Sequence, residues 1–185
     1  MPAEPEAIGL LALLLLIESR QPARVDANGE FVLLADQDRR RWDRRLLAEG
    51  QSLVRQCLRR NAPGPYQLQA AINAVHADAA TAEETDWRQV LQLYDHLFRL
   101  TPTPVVALNR AIAFAEVHGA GEALAMIEHL ELDHYHLFHA TRADLLRRLG
   151  HKGEALAAYH CAAARTGNAA EHALIMRRIE TLAAS

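Results

Sequence analysis

The pentapeptide Gly121-Glu122-Ala123-Leu124-Ala125 returns letter for letter as Gly153-Glu154-Ala155-Leu156-Ala157, 32 positions further along the chain. The same offset sets Arg110-Ala111 over Arg142-Ala143, Phe114 over Leu146 and Val117 over Leu149. Five consecutive identities behind a matching helical pattern mark a tandem repeat, each copy a helix, a turn and a second helix. Such a unit cannot bury its apolar face alone, so neighbouring copies stack into a continuous core. The small residues Ala111, Ala123, Ala143 and Ala155 fall where stacked helices would cross, which gives them a packing role and no chemistry.

A 32-residue helical unit is close to the roughly 34 residues of a tetratricopeptide (TPR) repeat. Ala143, Gly150, Ala155, Tyr159 and Ala162 sit at the small, turn and aromatic positions of that pattern. An earlier, degenerate unit pairs a helix over Pro65–Asp78 with one over Trp87–Leu100, closed by Pro102, although its loop, residues 79–85, is longer than the repeat allows. Thr103-Pro104 restarts the chain as N-cap and first helical turn. The stretch Asn168 to Ala184 reads as a last helix that caps the stack. The expected fold is therefore all-α: a TPR-like α-solenoid of about three helix pairs with a C-terminal capping helix.

Upstream, Pro63-Gly64-Pro65 marks a boundary, dividing the chain into residues 1–63 and 64–185. The first part reads as a helix–β-hairpin–helix segment packed on the repeats. Helix one runs from about Pro5 to Arg20 and is stopped by Gln21-Pro22. Its run Ile8 to Ile17 has about half the apolar residues a membrane span needs. Glu4 and Glu6 precede it where a signal peptide wants basic residues, so a helix buried on most sides is expected. Asn28-Gly29, between β-prone runs from Arg24 to Leu34, signals a tight hairpin. A basic amphipathic helix follows, from about Asp38 to Arg60.

Composition narrows the functional classes. Half of the 185 residues are hydrophobic and 23% charged, which suits a globular domain. Twenty basic residues against 23 acidic ones give a net charge of −3, against a domain held to nucleic acid by phosphate neutralisation. Two cysteines, Cys57 and Cys161, fit a reducing cytosol, and a cytoplasmic location is expected. Ten histidines invite a metal, and His134-Tyr135-His136-Leu137-Phe138-His139 is the densest group. Yet only His136 and His139 share a helix face, and Glu131-Leu132-Asp133-His134 is the one Glu-x-x-His unit where a di-iron bundle needs two. The serines, Ser19, Ser52 and Ser185, lie in no Gly-x-Ser-x-Gly, and no glycine-rich loop opens a helix. The expectation is no enzyme, no cofactor, no metal and no small-molecule substrate.

Surfaces remain. Residues 38–60 carry eight arginines together with Asp38, Asp43 and Glu49. They form either a solvated face or a docking surface in which Trp42 serves as an anchor. In stacked repeats the first helix of each pair lines the groove, which singles out Asn109, Arg110, His136, His139 and Arg142. Arg110 and Arg142, one repeat apart, either offer two guanidinium forks to bound carboxylates or pair with internal acids such as Asp144 or Glu116. Tyr66 and Gln67, at the start of the second part, complete the candidate protein-binding surface.

Several stretches carry a resemblance: Gly64-Pro65-Tyr66-Gln67-Leu68-Gln69-Ala70-Ala71-Ile72, Asp86-Trp87, Leu108-Asn109-Arg110-Ala111, Tyr135 to Ala140 and Arg142 to Gly150. Gly9 to Leu13, Pro22-Ala23-Arg24, Asp36 to Arg39 and Arg41-Trp42-Asp43 agree with it. Together they resemble the C-terminal TPR-like extension of bacterial extracytoplasmic-function sigma factors, of the sigma-70 family. That resemblance implies a parent protein that brings RNA polymerase core to promoters through upstream regions, including a helix-turn-helix. Too little chain precedes helix one to hold them, so an excised domain or a truncated relative is expected. What the resemblance implies here is a regulatory, protein-interaction role, with the upstream sigma regions and polymerase core as partners. It implies no direct DNA binding by this chain alone and no membrane contact. The competing reading is a stand-alone TPR-like adaptor that binds a peptide of an unrelated partner.

Overall fold

The computed structural model describes residues 5–27, 29–59 and 63–185. Among them lie nine α-helices and no strand, so the chain is all-α. Two compact units divide it, Met1–Pro102 and Thr103–Ser185.

The first unit holds α1 (Pro5–Glu18), α2 (Arg44–Leu58), α3 (Pro65–Asp78) and α4 (Trp87–Leu100). Because α3 packs broadly on α1 and also on α2, Pro63-Gly64-Pro65 is only a turn inside this unit. The boundary expected there falls instead at Pro102–Thr103. Ala12, Leu13 and Leu16 of α1 share a core with Val54 of α2 and with Ala70, Ala71 and Ala74 of α3. Glycine permits the close approach: a Cβ on Gly9 would stand 2.6 Å from Gln67 Cγ, and one on Gly50 2.8 Å from Leu16 Cγ. Two neighbours cannot cover a helix that is apolar all round. Leu11 and Leu14 stay 48% and 54% exposed, so α1 is buried on one face rather than on most sides.

Between α1 and α2 the expected hairpin is reduced to one antiparallel bridge, Val25 to Phe31, flanked by Val32 N–H donating to the Arg24 carbonyl at 2.8 Å. Asn28, its turn residue, lies outside the described residues. Pairing stops because a 3-10 turn over Leu34–Asp36 begins directly afterwards. The basic helix is also shorter than its sequence pattern. Asp38 Oδ1 accepts from Arg40 N–H at 3.0 Å and caps a separate 3-10 turn, Arg39–Arg41. Asp43 Oδ1 then accepts from the N–H groups of Arg45 and Leu46 at 2.9 and 3.0 Å, so α2 starts at Arg44. Two N-caps five residues apart interrupt what periodicity alone joins. Arg60, the expected end, lies outside the described residues.

The second unit holds α5 (Pro104–His118), α6 (Ala120–Ile127), α7 (His136–Arg148), α8 (Lys152–Ala163) and α9 (Ala169–Ala184), each packed on the next. Thr103 Oγ1 accepts from Val106 N–H to start α5, and Asn168 Oδ1 caps α9 through Ala170 and Glu171. Gly119 (φ 104°) and Gly150 (φ 81°) turn α5 into α6 and α7 into α8, a backbone conformation that costs other residues strain. Ala111, Ala123, Ala143 and Ala155 are all 0% exposed, at the helix crossings. One core joins Leu108, Ala111, Ala123, Ile127, Phe138 and Leu145. The next joins Ala143, Leu146, Ala155, Tyr159, Ile175 and Ile179.

Two ties span one repeat length. Arg148 donates from Nη1 to Glu116 Oε1 (2.6 Å) and from Nη2 to the Ala115 carbonyl (3.1 Å), while Arg165 Nε donates to the Asp133 carbonyl (2.7 Å). Among the described residues no helix is long and apolar enough to cross a membrane.

Candidate functional site

α7 supplies the central feature of the second unit. Phe138, His139 and Arg142 lie at helical spacing on one face of α7 and line a cavity of 590 Å³ with Glu128, His129, Asp133 and Cys161. His139 Nε2–H donates to the Asp133 carbonyl at 2.8 Å, and its ring stands edge-on to Phe138 at 5.2 Å. Arg165 reaches the same carbonyl, so the end of the cavity is fixed by two donors. Arg142 is half-buried in this wall.

The two acids that the sequence offered as partners for Arg142, Asp144 and Glu116, are committed elsewhere. Asp144 Oδ1 accepts from Arg147 at 2.7 and 3.2 Å, and Glu116 accepts from Arg148. No hydrogen bond or ion pair engages Arg142 among the described residues. A partly desolvated guanidinium with no hydrogen bond or ion pair is an unmet binding capacity, directional and permanently charged.

The other candidates separate. Asn109 and Arg110 are half-buried on α5, and neither lines this cavity. His136 Nε2 lies 2.9 Å from Glu171 Oε2, within ion-pair distance but not aligned for a hydrogen bond, so it joins the starts of α7 and α9. In the first unit Tyr66 is exposed, and its N–H donates to Glu6 Oε2 at 3.0 Å. Gln67 is 2% exposed, with Nε2 donating to Glu6 Oε1, and belongs to the contact between α1 and α3. Trp42, expected as a surface anchor, is only 3% exposed and packs with Ala23 and Leu47. Neither Trp42 nor Gln67 is available to a partner.

Trp42 is covered by Arg39, one of the eight arginines that the sequence offered as either a solvated face or a docking surface. The Arg39 guanidinium lies 5.2 Å from the ring centroid and donates to the His76 carbonyl at 2.6 Å and to the Ala79 carbonyl. These are C-terminal carbonyls of α3, which have no intrahelical donor. Arg24 Nη2 similarly reaches the Ile17 carbonyl near the end of α1, and Arg20 Nη2 donates to Asn73 Oδ1 at 2.8 Å. Burial, then Arg24 and Arg39, push Arg20 down to about 10. Burial beside Arg20 and Arg39 pushes His76 down to about 4, so it is neutral at pH 7, its ring edge-on to Trp87. The signal for Arg39 in the sequence is Asp38, whose cap turns the chain so that the next side chain points inward.

Among the described residues no group of three or more His, Cys, Asp or Glu side chains could hold a metal ion.

Residues 1–58 match a family of unknown function, DUF6596. An uncharacterized protein of Rhizobium meliloti (strain 1021) is 49% identical over 185 residues, which is 99% of this chain and 44% of that protein. The chain thus spans less than half the length of the curated relative it matches. No solved structure matches the chain.

Proposed function

We propose that this chain is a helical interaction and regulatory module of a sigma factor, acting by docking the promoter-reading regions or RNA polymerase core, without catalysis. The repeat unit is TPR-like in this reading: α5–α6 and α7–α8 are its pairs, α9 its cap, and α3–α4 a divergent pair in the first unit. The observation that carries the reading is Arg142, a half-buried guanidinium that lines a cavity with Phe138 and His139 and makes no hydrogen bond or ion pair, Asp144 and Glu116 being engaged elsewhere. Such a group fits recognition of a carboxylate on a partner, since a guanidinium fork matches that geometry. The motif resemblance supplies the sigma assignment. The matched relative supports it in one respect: more than half of that protein lies outside the aligned region, room for promoter-reading domains. A cytoplasmic setting follows from the same reading.

Calorimetric titration of the chain with a sigma fragment carrying the promoter-reading regions, and separately with polymerase core, tests this. Saturable binding that weakens about tenfold in Arg142→Ala, and less in Arg110→Ala, is expected. Binding to neither, with a peptide of an unrelated protein held by the same cavity, would make the chain a stand-alone adaptor.

A further inference from the structure

The Arg142 cavity holds more charge than one guanidinium. Glu128, directly after α6, and Asp133, in the turn that leads into α7, line it as well, so its wall is mixed in sign. Both acids are exposed, and among the described residues neither carboxylate has a hydrogen-bond or ion-pair partner, Arg142 included. Asp133 does not cap α7, whose N-terminus takes no side-chain acceptor.

Asp133 is nevertheless held in place. Its carbonyl accepts from His139 Nε2–H at 2.8 Å and from Arg165 Nε at 2.7 Å. Arg165 Nη1 donates in turn to the Cys161 carbonyl at 3.0 Å, so this guanidinium serves neutral acceptors and leaves the Asp133 carboxylate unpaired. A backbone fixed beforehand lowers the ordering cost of using that carboxylate. Phe138, 6% exposed, and Ala157 and Ala158 of α8 add apolar atoms to the wall. At 590 Å³ the cavity has the size of a ligand site.

We propose that this cavity docks a segment of mixed charge from a partner protein: a glutamate or aspartate on Arg142, a lysine or arginine on Glu128 and Asp133, and an apolar residue between them against Phe138 and the two alanines. The proposal rests on the reading that the Arg142 cavity receives a partner, and it names what that partner presents. A purely acidic segment satisfies Arg142 but sets its other carboxylates against Glu128 and Asp133. A purely basic one reverses the mismatch. Like-charge contacts of this kind exclude wrong partners. A phosphate backbone meets the same two acids and has no cation to offer them.

The test uses the full chain, labelled with nitrogen-15 and followed by NMR at pH 8. It is titrated with a short peptide, blocked at both ends, that bears one glutamate, one leucine and one lysine at alternate positions, made in both orders. For one order, saturable shifts at α7 and α8 amides around the cavity are expected, with a midpoint of about a millimolar or lower. Glutamine in place of the peptide's glutamate, or of its lysine, should each weaken binding at least about threefold. In Arg142→Gln the glutamate change should lose its effect, and in E128Q/D133N the lysine change should lose its effect, because each variant removes the partner of one charge. Damage to the fold weakens every peptide alike, so these pairings separate the site from its scaffold. An all-acidic peptide that binds as well as the mixed one would overturn the proposal and leave the docking of a carboxylate by Arg142 standing. It is equally overturned if neither order binds saturably, or if the shifts fall outside the cavity; the sigma assignment is decided separately, by the calorimetric titration.

Discussion

The two units of this chain solve the same problem, covering short helices, and differ in what they add to a core that contains close-packed alanines. Alanine does it in the repeat unit: Ala111, Ala123, Ala143 and Ala155 let helices cross closely, and the helices follow one another through turns of a few residues. The first unit must also tether a long irregular stretch between α1 and α2. It does so with arginines, half-buried Arg24 and buried Arg39, donating into the carbonyl ends of α1 and α3. A repeat can be read from local pattern because each contact recurs. An arginine turned inward cannot, since its partners lie 37 and 40 residues away.

That contrast can be broken at several points. In the repeat unit Tyr159 is the largest fully buried side chain, and Tyr159→Ala should cost about 3–5 kcal/mol, a loss measurable by chemical denaturation. Retention of native stability would mean that α8 does not carry the core.

In the first unit the pH dependence of stability is diagnostic. His76 is held down at about 4 against an ordinary value near 6.5, so between these limits the unfolded chain binds the extra proton. Stability from this group is complete above about pH 6.5 and falls as pH drops toward 4, by up to about 3 kcal/mol. His76→Gln should flatten that slope relative to the parent chain. Parallel curves for the two proteins would show that His76 is not buried neutral.

Arg39→Ala should cost about 2 kcal/mol, because two carbonyls lose a charged donor while Trp42 loses its cover. Arg39→Lys should recover only part of this, since one ammonium replaces a fork that reaches two acceptors. Full rescue by lysine would mean that charge alone matters. The smallest effect is expected at the exposed tie between repeats, where Arg148→Ala should cost about 0.5–1 kcal/mol and less at high salt.

Much of this architecture was legible. The cap Thr103, the helix start at Asn168 and the four alanines are local signals, and each does in the structure what its chemistry dictates. Where long-range packing decided, the pattern misled. The Pro-Gly-Pro turn looked like a domain boundary because nothing local reveals that α3 lies on α1. The basic run looked like one helix because periodicity does not register the competing caps Asp38 and Asp43. Trp42 looked like a surface anchor because what buries it is distant: Ala23 packs on it, and the carbonyls of His76 and Ala79 hold Arg39 over its ring. Of the candidate site, His139 and Arg142 come together in one cavity, while His136 pairs with Glu171.

The sigma-factor role is tested most directly in the longer Rhizobium meliloti relative. Polymerase core would be programmed with the full-length relative, or with a version lacking the region that matches this chain, and promoter-dependent transcripts counted on its own upstream DNA. A regulatory module predicts specific transcripts with the full-length protein and a change of several-fold or more when the region is removed. Absence of promoter-dependent transcription with both proteins, while core and template respond normally to another sigma factor, would contradict it.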